Sequence, residues 1–149
     1  MLLLCVRFPG ILAADIPAGY VRAAESKNLE LYILEDDASL LIYDKGADYV
    51  WNSSYDIDDP LVERTNKLWK GSMRSLVNMV YTDFTRILIA NPASAGAVLE
   101  IEYNDAGLRV SYTFEELEIG FSLDIILADN ELRVQIPASQ ISEGEVFGI

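Results

Sequence analysis

Three aspartates follow a cluster of aromatic residues in the stretch GADYVWNSSYDIDDP, residues 46–60. Asp56, Asp58 and Asp59 stand at i, i+2 and i+3, a spacing that can offer carboxylate oxygens to Ca2+, a hard ion that prefers such ligands. The stretch lacks the glycine and distal glutamate of an EF-hand loop. Helix initiation explains Asp59 as well: aspartate caps, and Pro60 suits the first helical position. Apart from Ca2+ on these aspartates, no cofactor is expected. Tyr49, Trp51, Tyr55 and Trp69 could stack on pyranose faces, with Asn52 or Asp56 bonding the hydroxyls. The candidate ligand set is therefore Tyr55, Trp51, Asn52 and Asp56. Against it, Trp51 alternates with Tyr49 along a strand, and Trp69 falls on the apolar side of a short helix. Core packing is thus expected for both tryptophans, and Tyr55 is the best exposed aromatic.

Glycoside hydrolysis needs two carboxyls roughly 5–9.5 Å apart across a sugar. Glu100 and Glu102 share one face of a strand, and Glu115, Glu116 and Glu118 crowd a turn. Alternation of Glu100 and Glu102 with Leu99, Ile101 and Tyr103 already accounts for a solvent-facing pair. No catalytic residue is assigned. The chain has no histidine, which removes the commonest general base and metal ligand and every Ser-His-Asp triad. Its single cysteine, Cys5, permits no internal disulfide and no Cys-based zinc site. Asn52-Ser53-Ser54 matches an N-glycosylation sequon, a match that would be chance if the chain were bacterial.

These side chains need elements to hold them. The 149 residues suffice for one domain, which at this size buries roughly 70% of its unfolded surface. Hydrophobic residues make up 51%, which argues against disorder. With 24 Asp+Glu against 11 Lys+Arg the formal charge is -13, so phosphate backbones and anionic membrane surfaces are repelled. No apolar run approaches the ~18 residues of a membrane-spanning helix. The first 19 residues are apolar but broken by Arg7 and Pro9-Gly10; they read as a degraded signal or as a first strand with a linker. Residues 20–149 read as the folded domain. Its last residues resemble the opening of a further strand, which leaves open whether the chain is a complete protein.

From Tyr20 the period is two. NLELYI (28–33), ASLLIY (38–43) and DYVWN (48–52) are short strands separated by turn residues. A short helix is expected from Asp59-Pro60, with Leu61, Thr65, Leu68 and Trp69 at helical spacing and Gly71 ending it. SLVNMVYT (75–82) and RILIA (86–90) return to β character, and residues 93–96 read as a loop. VLEIEY, LRVSYTF and FSLDIIL then alternate clearly, followed by Leu132, Val134 and Ile136. A half-apolar meander needs a second sheet across it. The expected fold is all-β: a two-sheet antiparallel β-sandwich with one short helix between its halves.

Three segments carry a family resemblance: ESKNLELYILEDDASLLIYDKGADYVWNSS (25–54), AGLRVSYTFEELEIGFSLDIIL (106–127) and ELRVQIPASQI (131–141). Val50-Trp51 after Gly46, and Leu132-Arg133-Val134 before Ile136-Pro137, are the sharpest elements. Together they resemble the N-terminal β-sandwich of large secreted bacterial proteins related to glycoside hydrolases, catalogued as a domain of unknown function. The resemblance implies a galactose-mutarotase-like fold that precedes a barrel-like catalytic domain. It implies a non-catalytic accessory role on the outside of a bacterium, with that downstream domain, and carbohydrate, as partners. Mutarotases of this fold use histidines with a carboxylate; their absence here argues against that activity. Two other classes remain open: a carbohydrate-binding module using exposed aromatics, and a surface protein that assembles through unpaired edge strands.

Overall fold

The computed structural model describes residues 16–54, 64–83 and 85–145. Antiparallel sheets dominate it, as the period of two requires. The first sheet is a meander in the order β1 (Tyr20–Glu25), β2 (Leu29–Leu34), β3 (Ser39–Asp44) and β4 (Tyr49–Asn52). The second is also a meander, in which β7 (Val98–Asn104), β8 (Gly107–Phe114), β9 (Ile119–Leu127) and β10 (Leu132–Gln135) lie side by side. Between them come helix α1 (Lys67–Arg74), the hairpin of β5 (Met79–Thr82) and β6 (Ile87–Ala90), and a one-turn helix α2 (Pro92–Ala95). This is the expected β-sandwich with a short helix between its halves. β1 begins at Tyr20, and residues 1–15 lie outside the described residues.

Register decides which side chains face the core. Leu31 and Ile33 of β2 stand opposite Ile42 and Leu40 of β3. In the second sheet Leu108, Val110, Tyr112 and Phe114 pair with Ile125, Leu123, Phe121 and Ile119. These two apolar faces meet, with β1 against β8 and β2 against β9. The centre is aromatic: Phe121 stacks on Tyr112 at 5.4 Å and on Phe114 at 6.0 Å between ring centroids. The turns also touch. Ser26 Oγ donates to the Asp129 carbonyl at 3.2 Å, and Asn28 Nδ2 donates to Asn130 Oδ1 at 2.5 Å. Tyr103 on β7 donates to Glu35 Oε1, in the β2–β3 turn, at 2.5 Å. Gly107 opens β8 where a side chain cannot fit: a Cβ there would lie 2.0 Å from the Ile125 carbonyl oxygen.

The helices depart from expectation. α1 starts at Lys67, capped by Asn66, whose Oδ1 accepts the Trp69 amide at 3.0 Å. The predicted start at Asp59-Pro60 lies outside the described residues. Gly71 sits inside α1 rather than ending it, because the buried amide of Asn91 packs against it; a Cβ at Gly71 would lie 3.0 Å from both Asn91 Nδ2 and Oδ1. Residues 93–96, read as a loop, instead belong to a helical turn over Pro92–Ala95 and its cap. Asn91 and Ser94 close a capping box over it, and Gly96 ends it at φ 62°. The Asn-Pro pair that stops β6 thus also starts α2. Among the described residues no helix is long and apolar enough to cross a membrane.

Candidate functional site

The edge strand β4 presents the first candidate. Asp44 shapes the turn before it: its Oδ1 accepts the Gly46 and Ala47 amides at 2.8 and 3.0 Å. Tyr49 and Trp51 then project from one face of β4, opposite Asp44 and Ile42 of β3. That is the core-facing side of the sheet, since Ile42 packs against the core cluster. Yet Trp51 is 60% exposed and Tyr49 53%. The second sheet does not cover these rings, so the expectation of core packing fails for Trp51 through coverage, while the face was right. Trp69 is 59% exposed on α1, and core packing fails there too. Its helix starts at Lys67, so the apolar stripe counted from Leu61 does not set the buried side.

The two rings of β4 meet edge to face, 5.0 Å between centroids at 72°. They form a corner rather than a flat platform: one sugar face can lie on the indole while the phenol walls its flank. Asn52 does not join them. It pairs with Leu41 and points to the opposite side of the sheet. Its Oδ1 is engaged by the Ser54 amide at 3.0 Å and the Ser54 hydroxyl at 3.1 Å. The remaining candidates, Tyr55 and Asp56 for ligand and Asp56, Asp58 and Asp59 for Ca2+, lie outside the described residues. Among the described residues no three acidic, histidine or cysteine side chains gather as a metal cage.

Several carboxylates elsewhere are held by cations or hydroxyls. Asp124 takes Arg109 through two bonds of 2.6 and 3.1 Å, and that hydrogen-bonded guanidinium holds its carboxyl below the ordinary value. Lys45 bonds Glu25 at 2.6 Å and lowers it likewise. Asp83 is pulled down by the hydroxyl of Thr85 and then by Arg86. A glycosidic general acid needs the opposite displacement. Glu100 and Glu102 stand exposed on the outer face, opposite Ser111 and Arg109. Glu115 and Glu116 sit in a 3-10 turn, and Glu118 follows it at φ 54°.

A second site was not visible in the sequence. A cleft of about 860 Å³ opens between α1, α2, the start of β7 and the β2–β3 turn. Lys70 and Arg74, one turn apart on α1, line one wall; Asp36 and Asp37 line another. Ser75, Ser94 and Leu99 also line it. The close contact of Gly71 with Asn91 brings the two helices together there. Four separate chain segments build this cleft, and only the i, i+4 spacing of Lys70 and Arg74 could have hinted at it.

Comparison with protein-family models, with curated proteins and with solved structures finds no match for this chain.

Proposed function

We propose that this domain is a non-catalytic accessory β-sandwich of a secreted, carbohydrate-active protein, packing against a neighbouring catalytic domain. The observation that carries the reading is the outer face of the β5–β6 hairpin. Val80 pairs with Ile89, and Thr82 with Ile87; Ile87 is 80% exposed, and Val80 and Ile89 are exposed beside it. Met79 and Ala90, on the inner side, are already buried. A two-stranded hairpin apolar on both sides has one side too many for an isolated domain, and clustered exposed apolar side chains mark interaction surfaces. The resemblance of the strand sequences to a galactose-mutarotase-like sandwich supplies the class of protein. The downward-shifted carboxyls and the lack of histidine support a role without chemistry of its own.

The gene beyond codon 149 tests this directly. An open frame continuing into a barrel-type domain supports the reading, and a stop codon there refutes it. In the longer protein, hydrogen exchange at residues 79–90 should slow relative to the isolated domain.

The Tyr49–Trp51 corner favours a second reading, a glycan-binding module. Oligosaccharide titration followed by tryptophan fluorescence tests it. A response lost in Trp51→Ala supports binding at β4; silence across a broad panel of neutral glycans removes it.

A further inference from the structure

The cleft between α1 and α2 has a lining that selects a ligand. Its basic side chains are uncommitted in a protein where cations are scarce. Arg22, Lys45, Arg86, Arg109 and Arg133 each hold a carboxylate within 4.0 Å. Lys70 and Arg74 form no ion pair among the described residues, although Asp36 and Asp37 line the same space. Their i, i+4 spacing puts both on one side of α1. Lys70 is partly buried and Arg74 is exposed, so the stem of Lys70 packs along the wall while both charged heads stay within reach of a ligand.

The chemistry follows from the pairing of walls. Lys70 and Arg74 offer charge-assisted donors to one carboxylate. Asp36 forms no hydrogen bond or ion pair among the described residues and can accept from hydroxyls, whereas Asp37 already receives the Ser39 amide at 2.9 Å. Ser75 Oγ already donates to the Gly71 carbonyl at 2.8 Å and Ser94 Oγ to the Asn91 carbonyl at 3.2 Å, so both offer the ligand acceptor lone pairs. Pro92, Ala97 and Leu99 give an apolar patch for C–H groups. Two aspartates in a chain of net charge -13 repel a polyanion, while a single negative charge is compensated locally by the two cations. The volume is in the range of small-ligand sites and exceeds what a bare inorganic anion needs.

We propose that this cleft binds a hydroxylated monocarboxylate of pyranose size, a uronic acid residue. The carboxylate sits between Lys70 and Arg74, the hydroxyls reach Asp36 and the serines, and the ring's C–H face lies on Leu99. The site is separate from the Tyr49–Trp51 corner and from the β5–β6 hairpin, so it stands or falls independently of the accessory-domain reading.

Calorimetric titration of the full chain with galacturonic acid, its methyl ester, galactose, lactate and pyrophosphate tests the assignment. Galacturonic acid should bind at least tenfold more tightly than the ester or galactose, because only it offers the charge. It should also exceed lactate, which lacks the ring, and pyrophosphate, which the aspartates repel. R74Q and K70Q should each weaken galacturonate at least tenfold and leave the weak binding of the ester unchanged. Equal binding of acid and ester, a preference for pyrophosphate or lactate, or no detectable galacturonate binding would each overturn the proposal. The ester comparison uses the unaltered chain and so does not depend on how the variants fold.

Discussion

Tyr112→Phe should make this protein more stable, although buried tyrosines usually lose stability on that change. Tyr112 lies in the centre of the core, 1% exposed, with its ring on Phe121. Its hydroxyl is buried and has no hydrogen-bond partner among the described residues. An unpaired buried hydroxyl costs about 1–3 kcal/mol in lost hydration. Removing it leaves a void on the order of 10 Å³, which at ~24 cal/mol per Å³ costs about 0.2 kcal/mol. Ring stacking is kept. The net gain should be about 1 kcal/mol, or roughly 0.5 M in the urea midpoint with an unchanged slope. The pH dependence sharpens the test. Burial, reinforced by the Asp37 carboxylate, holds the hydroxyl's pKa well above its ordinary value near 10. The folded form therefore keeps its proton where the unfolded chain ionises, and that contribution to stability is lost as pH rises above 10. Phenylalanine has no such loss, so its advantage should widen above pH 10. A variant that is 1 kcal/mol less stable, or whose advantage shrinks at alkaline pH, would mean that the hydroxyl is paired and the reasoning wrong.

Other outcomes follow from the same geometry. Gly107→Ala should cost at least about 2 kcal/mol by urea unfolding, since the clash is with backbone and forces the β8–β9 ladder apart. Tyr103 should titrate at about 12, raised by burial and then by its bond to Glu35, and absorbance near 295 nm reads this. Its stabilising share is present below pH 10 and lost between about 10 and 12; Tyr103→Phe should cost about 0.5–1.5 kcal/mol at neutral pH. Trp51→Ala should change stability by less than about 0.5 kcal/mol, against the 3–5 kcal/mol of a core tryptophan, and acrylamide should quench Trp51 readily. Because Asp124 is held below its ordinary value by Arg109, its share of stability is present above about pH 4 and lost as pH falls further; Arg109→Met should flatten that acid limb.

The strands were legible because a half-buried sheet writes its two faces into alternate residues. Leu108, Val110, Tyr112 and Phe114 announced both their strand and their inward direction, and the structure buries all four. Alternation reports direction and says nothing of what lies across. Tyr49 and Trp51 point inward like Ile42, but no strand of the second sheet covers them. The end of α1 was misplaced because Gly71 looks like a helix end unless its packing against Asn91 is known. The cleft was invisible for a different reason. Asp36, Lys70, Ser94 and Leu99 belong to four segments that share no local pattern and meet only through the packing of α1 on α2.

The two sheets differ from many sandwiches in that neither borrows a strand from the other. Every ladder joins neighbours in sequence, so each meander can be completed by local hairpin closure within microseconds. What remains is docking over distance, and its longest reach brings Ser26 and Asn28 onto Asp129 and Asn130, more than a hundred residues away. During translation the first sheet must therefore wait, at 5–20 residues per second for roughly four to fifteen seconds, with Leu31, Ile33 and Leu40 unshielded until β8 and β9 emerge. The same arrangement makes the chain divisible. Cut between the halves, it leaves two contiguous pieces that each carry a whole sheet, and mixing them should restore the fold by complementation.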